Sequence, residues 1–484
     1  MKNSELIKQL QGILPAESVL YEQEDLKPFE CDGLSAYREV PLAVVLPETE
    51  EQVRGILLAC HREKVPVVAR GSGTGLSGGA LPLKDGVLLS LTKFRRILSL
   101  DPVARTARVQ PGVRNLAISE AAAPYGLYYA PDPSSQIACS IGGNVAENAG
   151  GVHCLKYGLT VHNVLKVRAY TMDGELLELG SEALDSAGYD LLALFTGSEG
   201  MLGVITEVTV KLLPKPDLAR VVMAAFGSVA EACVAVGEII AAGIIPAGLE
   251  MMDRLMTVAV EDFVHAGYPL EAEAILLCES DGTQEEVAEE IARMEEIFSR
   301  CGATSMRTSA NEADRLRLWA GRKAAFPAAG RISPDYYCMD GTIPRRELTR
   351  VLRSIEELSR EYGLRVGNVF HAGDGNLHPL ILYDASKPDE LHRAEEIGGK
   401  ILELCVEVGG TITGEHGVGI EKINQMCAQF KPEELQRFRD VKLAFDPSGL
   451  LNPGKLIPTA HRCAEFGAQH VHHGQLPFPD LPRF

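Results

Sequence analysis

The chain has 484 residues, of which 46% are hydrophobic and 23% are charged. This composition is typical of a soluble globular protein and excludes collagen-like repeats and extensive disorder. At about 150 residues per domain, the length predicts two or three domains. The net charge is −19, from 66 Asp and Glu against 47 Lys and Arg. A surface this acidic repels phosphate backbones, so nucleic-acid binding is not expected.

The spacing of the cysteines and the length of the apolar runs indicate in which cellular compartment the protein works. The eleven cysteines include no Cys-x-x-Cys pair, which argues against a Cys-ligated zinc or iron–sulfur site in this chain. Their number is odd and they lack the regular spacing of a disulfide-bonded framework, which favours a reducing compartment. The start of the chain lacks the apolar core of a secretory signal, and no apolar run approaches the roughly 18 residues of a membrane span. We therefore expect a soluble, cytoplasmic protein, or one that reaches a membrane only through partners.

The first part of the chain alternates strand and helix patterns. Residues 1–37 predict an amphipathic helix and a polar lead-in. Thr49 and Gln52 form a capping box, which predicts the start of a helix. Apolar stretches over 65–69 and 87–91 predict short buried strands on either side of a glycine-rich loop.

Longer strands are expected further along. Alternating apolar residues over 165–169 and 204–212 predict two of them, and Asp173-Gly174 indicates a hairpin after the first. Pro214 and Pro216 end the second strand, and we place a domain boundary at this point.

The remainder of the chain mixes helix and strand patterns. Residues 285–300 predict a helix, whereas 274–278 and 366–370 indicate buried strands, so this half is expected to be α+β. The predicted divisions are a lead-in helix (1–37), a first domain (38–217), a second domain (218–445), a return segment (446–459) and a Pro- and His-rich tail (460–484).

The glycine-rich loop, residues 70–79, contains Gly73, Gly75 and Gly78 at G-x-G-x-x-G spacing. A strand follows it rather than a helix, and no Lys-Ser/Thr pair ends it, so neither a Rossmann nor a P-loop motif is expected. A run of unobstructed backbone N–H groups forms a nest that binds a pyrophosphate without a helix. The alternative is a mobile surface loop.

A second segment of small residues spans 131–151. Its glycines and alanines let the backbone approach a flat ligand closely. Asn144 and Asn148 offer hydrogen bonds to ring edges or a ribose. The alternative is a pair of tight turns.

Histidines and a glutamate suggest a metal site in the second half. His371 and His378 flank Asp374-Gly375, so they are expected to face each other across a hairpin. Glu415 and His416 lie in a second glycine-rich segment. Two imidazoles and a carboxylate are a common divalent-metal set; ordinary turns with polar side chains are the alternative.

Arg322 lies in a predicted helix over 319–326 that carries the single Trp of the chain. A guanidinium can donate two parallel hydrogen bonds to a substrate carboxylate in a bidentate arrangement. A surface salt bridge is the alternative.

The motifs together resemble the FAD-binding oxidases of the vanillyl-alcohol oxidase/p-cresol methylhydroxylase (VAO/PCMH) superfamily. The segments 70–79, 131–151, 196–206 and 452–455 match it in order and spacing over nearly the whole chain. The resemblance implies an α+β fold, with a two-part FAD-binding domain and an α+β cap domain over the isoalloxazine. Some members attach FAD through a His near the first loop; since residues 70–79 contain none, we expect non-covalent FAD. The implied FAD contacts are Arg70, Gly71, Ser72, Gly73, Thr74, Gly75, Ser77, Gly78, Pro131, Asp132, Ser140, Gly143, Asn144, Asn148, Gly151, Ile205 and Asn452.

Within this superfamily the chain is most similar to the branch of D-2-hydroxyacid dehydrogenases and glycolate oxidase flavin subunits. The resemblance implies that His371, His378 and Glu415 hold a divalent metal (Zn, Mn or Fe), that His416 is the base, and that Arg322 binds the substrate carboxylate.

The expected substrate is a small 2-hydroxy acid with one carboxylate. Members that act on dicarboxylates carry a Thr and a Lys where this chain has Phe326 and Cys338. This departure favours glycolate, oxidised to glyoxylate, or D-lactate over 2-hydroxyglutarate.

The resemblance also implies companion subunits, a second flavoprotein and an iron–sulfur protein, that pass electrons to a membrane quinone. Three alternatives remain open: a D-lactate dehydrogenase of the same family, an electron-transfer flavoprotein subunit without its own substrate, and a zinc hydrolase that uses the His and Glu cluster.

Overall fold

A computed structural model describes residues 2–183 and 187–458; the predicted tail over 460–484 lies outside the described residues. The N-terminal half is built from short strands and helices. The strands are β1 Val19–Leu20, β2 Ala43–Val45, β3 Val67–Arg70, β4 Val87–Ser90, β5 Ile97–Asp101, β6 Thr106–Val109, β7 Leu127–Tyr128, β8 Val164–Tyr170, β9 Leu176–Gly180, β10 Val204–Lys211 and β11 Leu213–Pro214. The helices are α1 Lys2–Gln11, α2 Gln23–Leu26, α3 Glu50–Glu63, α4 Asn115–Ala122, α5 Ile141–Glu147, α6 Cys154–Tyr157, α7 Thr160–Asn163 and α8 Leu191–Phe195.

Two main sheets organise this half. The first has the order β1-β2-β4-β3, with β2, β4 and β3 parallel. The second, β5-β6-β10-β8-β9, is antiparallel throughout. Thr49 and Gln52 form the predicted capping box at the start of α3. The predicted strands form β3, β4, β8 and β10, and the β8–β9 hairpin turns at Asp173-Gly174.

The two small-residue segments adopt different structures. The glycine-rich loop runs from β3 towards β4 without a helix, as predicted. The segment over 131–151 forms helix α5 from Ile141 rather than only tight turns. Asn148 ends that helix with a positive φ of 54°, a conformation that Asn tolerates better than most residues.

The C-terminal half contains one large sheet. Its strands are β12 Leu218–Phe226, β13 Gly248–Asp253, β14 Ala274–Gly282, β15 Ala303–Thr308, β16 Asp335–Cys338, β17 Val366–His371 and β18 Pro379–Tyr383. They pair in the order β15-β12-β14-β13-β17-β18-β16, and every pairing is antiparallel. The helices are α9 Val229–Ala241, α10 Arg254–Val264, α11 Gln284–Arg300, α12 Glu312–Lys323, α13 Ala325–Ala329, α14 Leu348–Tyr362, α15 Glu390–Glu407, α16 Met426–Gln429 and α17 Pro432–Phe445.

Helices cover both faces of this sheet. Helices α9, α11, α14 and α15 bury one face, and α10, α12 and α13 bury the other. The predicted helix over 319–326 is interrupted, since α12 ends at Lys323 and α13 begins at Ala325. Pro327 lacks the N–H that would bond the Lys323 carbonyl, so the first helix stops and the proline falls in the first turn of the second.

Two connections bring the second half back to the first. The β17–β18 hairpin turns between His371 and His378, as predicted. After α17 the chain returns to the first sheet, where the backbone N–H of Asn452 donates to the Val67 carbonyl over 2.8 Å.

Among the helices of the described ranges, none is both long enough and apolar enough to cross a bilayer.

Candidate active site

A cavity of about 370 Å³ lies between the two halves of the molecule. One end is walled by the glycine-rich loop, by small residues that follow Pro133, and by the start of α5. The other end is walled by residues of the C-terminal half: Lys323, Phe326, Pro327, His378, Glu415 and His416. A ligand in this cavity would therefore touch both the loop and the histidines.

The loop end is shaped for a ligand that approaches the backbone. A Cβ added to Gly71 would lie 2.0 Å from Ser140 Oγ, so a larger residue there would have to displace the Ser140 hydroxyl. Gly73 and Gly78 have φ of +71° and +74°, a region open to glycine at little cost. Ser140 Oγ is buried without a hydrogen-bond partner in the described structure. A nest of N–H groups beside an unpaired hydroxyl fits a diphosphate.

The structure separates the predicted FAD contacts into two groups. The residues that line the cavity are Arg70, Gly71, Ser72, Gly73, Thr74, Gly75, Ser140, Gly143, Asn144 and Ile205. The cavity lining does not include Ser77, Gly78, Pro131, Asp132, Asn148, Gly151 or Asn452. For all seventeen residues, contact with FAD stays a prediction; lining of the cavity supports it for the first group only.

Two residues of the second group have other partners. The side chain of Asp132 accepts from the backbone N–H of His153 and lies 2.8 Å from its Nδ1. Asn452 donates through Nδ2 to the carbonyls of Gly79 and Glu199. Asn452 therefore connects two segments of the cavity wall, whereas Asp132 anchors His153, which does not line the cavity.

The three predicted metal ligands meet at one point. Nε2 of His371 and Nε2 of His378 lie 3.1 and 3.2 Å from the same oxygen, Oε1 of Glu415. The two rings are 5.1 Å apart and nearly perpendicular, and His378 Nε2 makes no hydrogen bond within the described residues. Two imidazole nitrogens around one carboxylate oxygen are a donor set that suits a divalent metal, although the group of ligand atoms within 4.8 Å of one another includes His378 and Glu415 and not His371.

Asp340, which sequence reasoning missed, organises the loop that carries Glu415 and His416. Its Oδ2 accepts from the backbone N–H groups of Gly414, Glu415 and His416 over 3.0, 3.2 and 2.9 Å. Lys422 Nζ donates to the same oxygen over 3.1 Å. Burial opposes ionisation of Asp340, but the positive charge of Lys422 and the nearby histidines outweigh it and hold its pKa well below the usual value.

Asp340 also belongs to a possible ligand group. One ligand atom each from Asp340, His378, Glu415 and His416 lies within 4.8 Å of the others. Asp340 Oδ1 is 3.4 Å from His378 Nε2. Because its other oxygen is already shared by several donors, we interpret Asp340 as the support of the loop.

His416 lies against the metal-ligand cluster. Its ring stacks on that of His378 at 4.9 Å with an interplanar angle of 4°. Burial, partly opposed by Asp340, lowers the pKa of His416 to about 4. Its Nδ1 is buried and unpartnered in the described structure. A neutral imidazole with a free nitrogen can accept a proton.

Arg322, the predicted carboxylate binder, is 1% exposed and does not line the cavity. Its Nε and Nη2 lie 2.8 and 2.7 Å from Oε2 of Glu250. Its Nη1 is buried without a partner among the described residues. The structure therefore leaves one guanidinium nitrogen for a ligand, and contact with substrate stays a prediction.

Phe326 and Cys338 occupy different environments. Phe326 lines the cavity, with its ring 6.5 Å from that of His378. Cys338 lies in β16 and is buried in the apolar core against which Phe326 also packs, and it does not line the cavity. The histidine end of the cavity therefore presents an aromatic wall beside Lys323.

Glu199 joins the two halves of the site. It is buried at the cavity wall, and its two carboxylate oxygens accept from the backbone N–H groups of Val418 and Gly419, both over 2.7 Å. In the sequence, the segment 196–206 indicates only a resemblance to flavoproteins, which predicts no role for Glu199. The residue connects the N-terminal wall of the cavity to the loop that carries His416.

Comparison with solved structures identifies the fold. p-Cresol methylhydroxylase superposes with a TM-score of 0.81 over 95% of this chain and 98% of its own, at 18% identity. Alkyldihydroxyacetonephosphate synthase superposes with a TM-score of 0.75 over 93% of this chain and 86% of its own, also at 18% identity. The protein thus has the two-domain α+β fold of VAO/PCMH-type flavoproteins, which confirms the predicted fold class.

Comparison with sequences identifies the family. The FAD binding domain family matches residues 41–180, and the family of FAD linked oxidases, C-terminal domain, matches residues 215–456. The chain belongs to the FAD-linked oxidases and carries an FAD-binding domain, and the predicted superfamily is confirmed.

Curated relatives cover most of the chain. Glycolate oxidase subunit GlcD of Escherichia coli K12 is 70% identical, over 97% of this chain and 94% of its own length. The GlcD subunit of Bacillus subtilis 168 is 39% identical, over 89% and 92%. D-lactate dehydrogenase of Anaerostipes hadrus is 32% identical, over 93% and 97%.

Proposed function

We propose that this chain is the flavin-bearing subunit of a glycolate oxidase and oxidises glycolate to glyoxylate. One observation carries the proposal. The glycine-rich loop that fits a diphosphate and the His and Glu cluster that fits a metal wall the same cavity. The similarity to two glycolate oxidase subunits supports the choice of substrate.

The substrate site is formed at the histidine end of the cavity. His378 and Glu415, together with His371 behind them, would hold a divalent ion, zinc, manganese or iron, which in such sites lowers the pKa of a coordinated hydroxyl. Arg322 would direct Nη1 to the carboxylate, since its other donors are bound to Glu250. Lys323 adds a positive charge at the cavity wall, which attracts an anion to a protein of charge −19.

His416 is the proposed general base. Its imidazole is neutral at physiological pH because burial lowers its pKa to about 4, so its free nitrogen takes the proton from the 2-hydroxyl. Bound non-covalently, FAD supplies the acceptor for the hydride from C2, which leaves the 2-oxo acid. The loop that carries His416 is fixed from one side by Asp340 and from the other by Glu199.

The size and polarity of the site favour a small substrate. Phe326 lines the cavity where the dicarboxylate branch is expected to carry a polar side chain. An aromatic ring there gives a second carboxylate no hydrogen bond, and an unpaired buried charge is costly. D-lactate, with one more methyl group, is the second candidate, since a D-lactate dehydrogenase is also a relative.

We also propose that the chain works with companion subunits. The name of the Escherichia coli relative describes it as a subunit. An iron–sulfur protein and a second flavoprotein, peripheral at the inner membrane, would accept the electrons and pass them to a quinone.

The test compares substrates and one variant. The flavin of the purified protein should lose its visible absorbance under anaerobic conditions fastest with glycolate, more slowly with D-lactate, and little with L-lactate or 2-hydroxyglutarate. His416→Ala should reduce this rate by about 10²- to 10⁴-fold with unchanged FAD content. His392→Ala, whose imidazole is exposed on α15, is the matched control. Reduction by none of the four acids would refute the proposed activity, and an unchanged rate in His416→Ala would refute the assignment of the base.

A further inference from the structure

A buried glutamate connects two parts of the site that the proposed function uses separately. Glu250 lies in strand β13, next to β17, and its cross-strand partner there is His371. Its side chain is 1% exposed. On one side Oε1 lies 2.7 Å from His371 Nδ1, and on the other Oε2 lies within 2.8 Å of two nitrogens of Arg322.

The contact with His371 determines which ring nitrogen is free. Glu250 is paired with the permanently charged guanidinium of Arg322, whose Nε and Nη2 lie 2.8 and 2.7 Å from Oε2, and this pairing favours the ionised carboxylate. An ionised carboxylate only accepts hydrogen bonds, so Nδ1–H of His371 donates to it. Nε2, which faces Glu415 Oε1 at 3.1 Å, is then the nitrogen that can release its proton and bind a metal. A carboxylate behind a ligating histidine commonly fixes its tautomer and orientation.

The contact with Arg322 determines which guanidinium donor is free. Glu250 Oε2 accepts from Nε and Nη2, an arrangement that holds the plane of the guanidinium. Only Nη1 remains, buried and unpartnered in the described part of the chain. Without this carboxylate the buried Arg322 would have no counter-ion at this position, and its side chain would turn to find one.

We infer that Glu250 is a positioning residue that sets the metal-binding tautomer of His371 and, through its second oxygen, the orientation of Arg322. The inference rests on the proposed function for the role of Arg322, but its first half concerns metal binding alone. It assigns Glu250 no contact with substrate.

The experiment measures metal affinity without substrate. FAD-loaded wild-type protein and Glu250→Gln are stripped with a chelator and titrated with Zn²⁺, and then with Mn²⁺, against a competing indicator dye. A glutamine offers one acceptor in place of two and directs an NH₂ at groups that are themselves donors. We expect the metal dissociation constant to rise by about 10- to 100-fold, and the KM for glycolate to rise with it because Arg322 loses its orientation.

Glu279→Gln is the matched control. Glu279 is also buried in the same sheet, in strand β14, and pairs with Arg315 over 2.8 Å, but it has no contact with the metal-ligand cluster in the described structure. It should lose stability while its metal affinity stays within about threefold of wild type. If Glu250→Gln does not fold, Glu250→Asp keeps the charge but shortens the reach, and at least a fivefold loss of metal affinity is expected.

The outcomes separate the two proposals. A metal affinity of Glu250→Gln, or of the Asp variant, within threefold of that of Glu279→Gln would overturn the inference, and so would a wild-type protein that binds neither ion. Selective loss of metal affinity in a protein that no 2-hydroxy acid reduces would support the inference about Glu250 and refute the proposed activity.

Discussion

Replacing Asp340 by Asn should destabilise the C-terminal half of the molecule and displace the loop that carries Glu415 and His416. Both Asp340 and its partner Lys422 have fully buried side chains, and their charged atoms are 3.1 Å apart. The substitution preserves the shape of the side chain but removes its charge. Lys422 then keeps its hydrogen bonds to the Gly417 carbonyl and to Thr413 Oγ1, over 2.9 and 3.3 Å, and the longer contact with Glu421, whose Oε2 is 3.7 Å from Nζ.

The expected cost follows from the burial of this pair. Loss of one partner of a buried ion pair costs about 3–5 kcal/mol. Because the Gly417 carbonyl and Thr413 still accept from Lys422, we expect the lower value, about 3 kcal/mol. For a folding unit of about 150–250 residues, a loss of about 3 kcal/mol lowers the thermal midpoint by roughly 6–12 °C. A loop displaced by about 1 Å also reduces the rate of a positioned reaction by roughly 100-fold.

Calorimetry and anaerobic flavin reduction measure both effects on FAD-loaded protein. Asp262→Asn is the control, since Asp262 is exposed and its contact with Arg331 is 3.7 Å long, and it should change the free energy of unfolding by less than about 0.5 kcal/mol. A thermal midpoint for Asp340→Asn within 2 °C of wild type, together with an unchanged reduction rate, would refute the assignment of Asp340 as the support of the loop.

Three further predictions concern other parts of the structure. Burial alone would lower the pKa of His153, but the carboxylates of Asp132 and Glu279 outweigh burial and raise that pKa to about 10. A raised pKa stabilises the fold below about pH 6.5, and this stabilisation is lost as the pH rises towards 10. The thermal midpoint should therefore fall between these pH values, and it should fall less steeply in His153→Asn. Gly71→Ala places a Cβ 2.0 Å from Ser140 Oγ and should weaken FAD binding by at least about tenfold, measured by flavin fluorescence. An affinity equal to that of the wild type would contradict the assignment of the glycine-rich loop as the diphosphate site. Lys323→Ala should raise the KM for glycolate by about three- to tenfold at low ionic strength and by less in high salt, and an effect independent of salt would exclude charge attraction.

Features written in consecutive residues were predictable from the sequence. The loop over 70–79 lacks a following helix because Pro82 and a turn intervene before β4. The hairpin between His371 and His378 follows from Asp374-Gly375 and the apolar strands around it. In each case local turn chemistry and periodicity determine the structure.

Features that depend on distant pairing were not predictable. Asp340, Glu250 and Glu199 each reach the site from a separate segment, and a single acidic residue in a strand or a loop has no local signature. Their roles arise because the sheet order places β13 beside β17 and because the two domains meet at the loop that follows His416. The break between α12 and α13 was missed although Pro327 signals it.

An anaerobic titration before and after metal removal tests the central claim, that one cavity joins a flavin to a metal-binding histidine cluster. Glycolate should abolish the visible flavin absorbance of the purified protein. After chelation this reduction should be lost while FAD stays bound, and Zn²⁺ or Mn²⁺ should restore it. A protein that takes up no flavin, or one that glycolate reduces equally well after complete metal removal, would contradict the account.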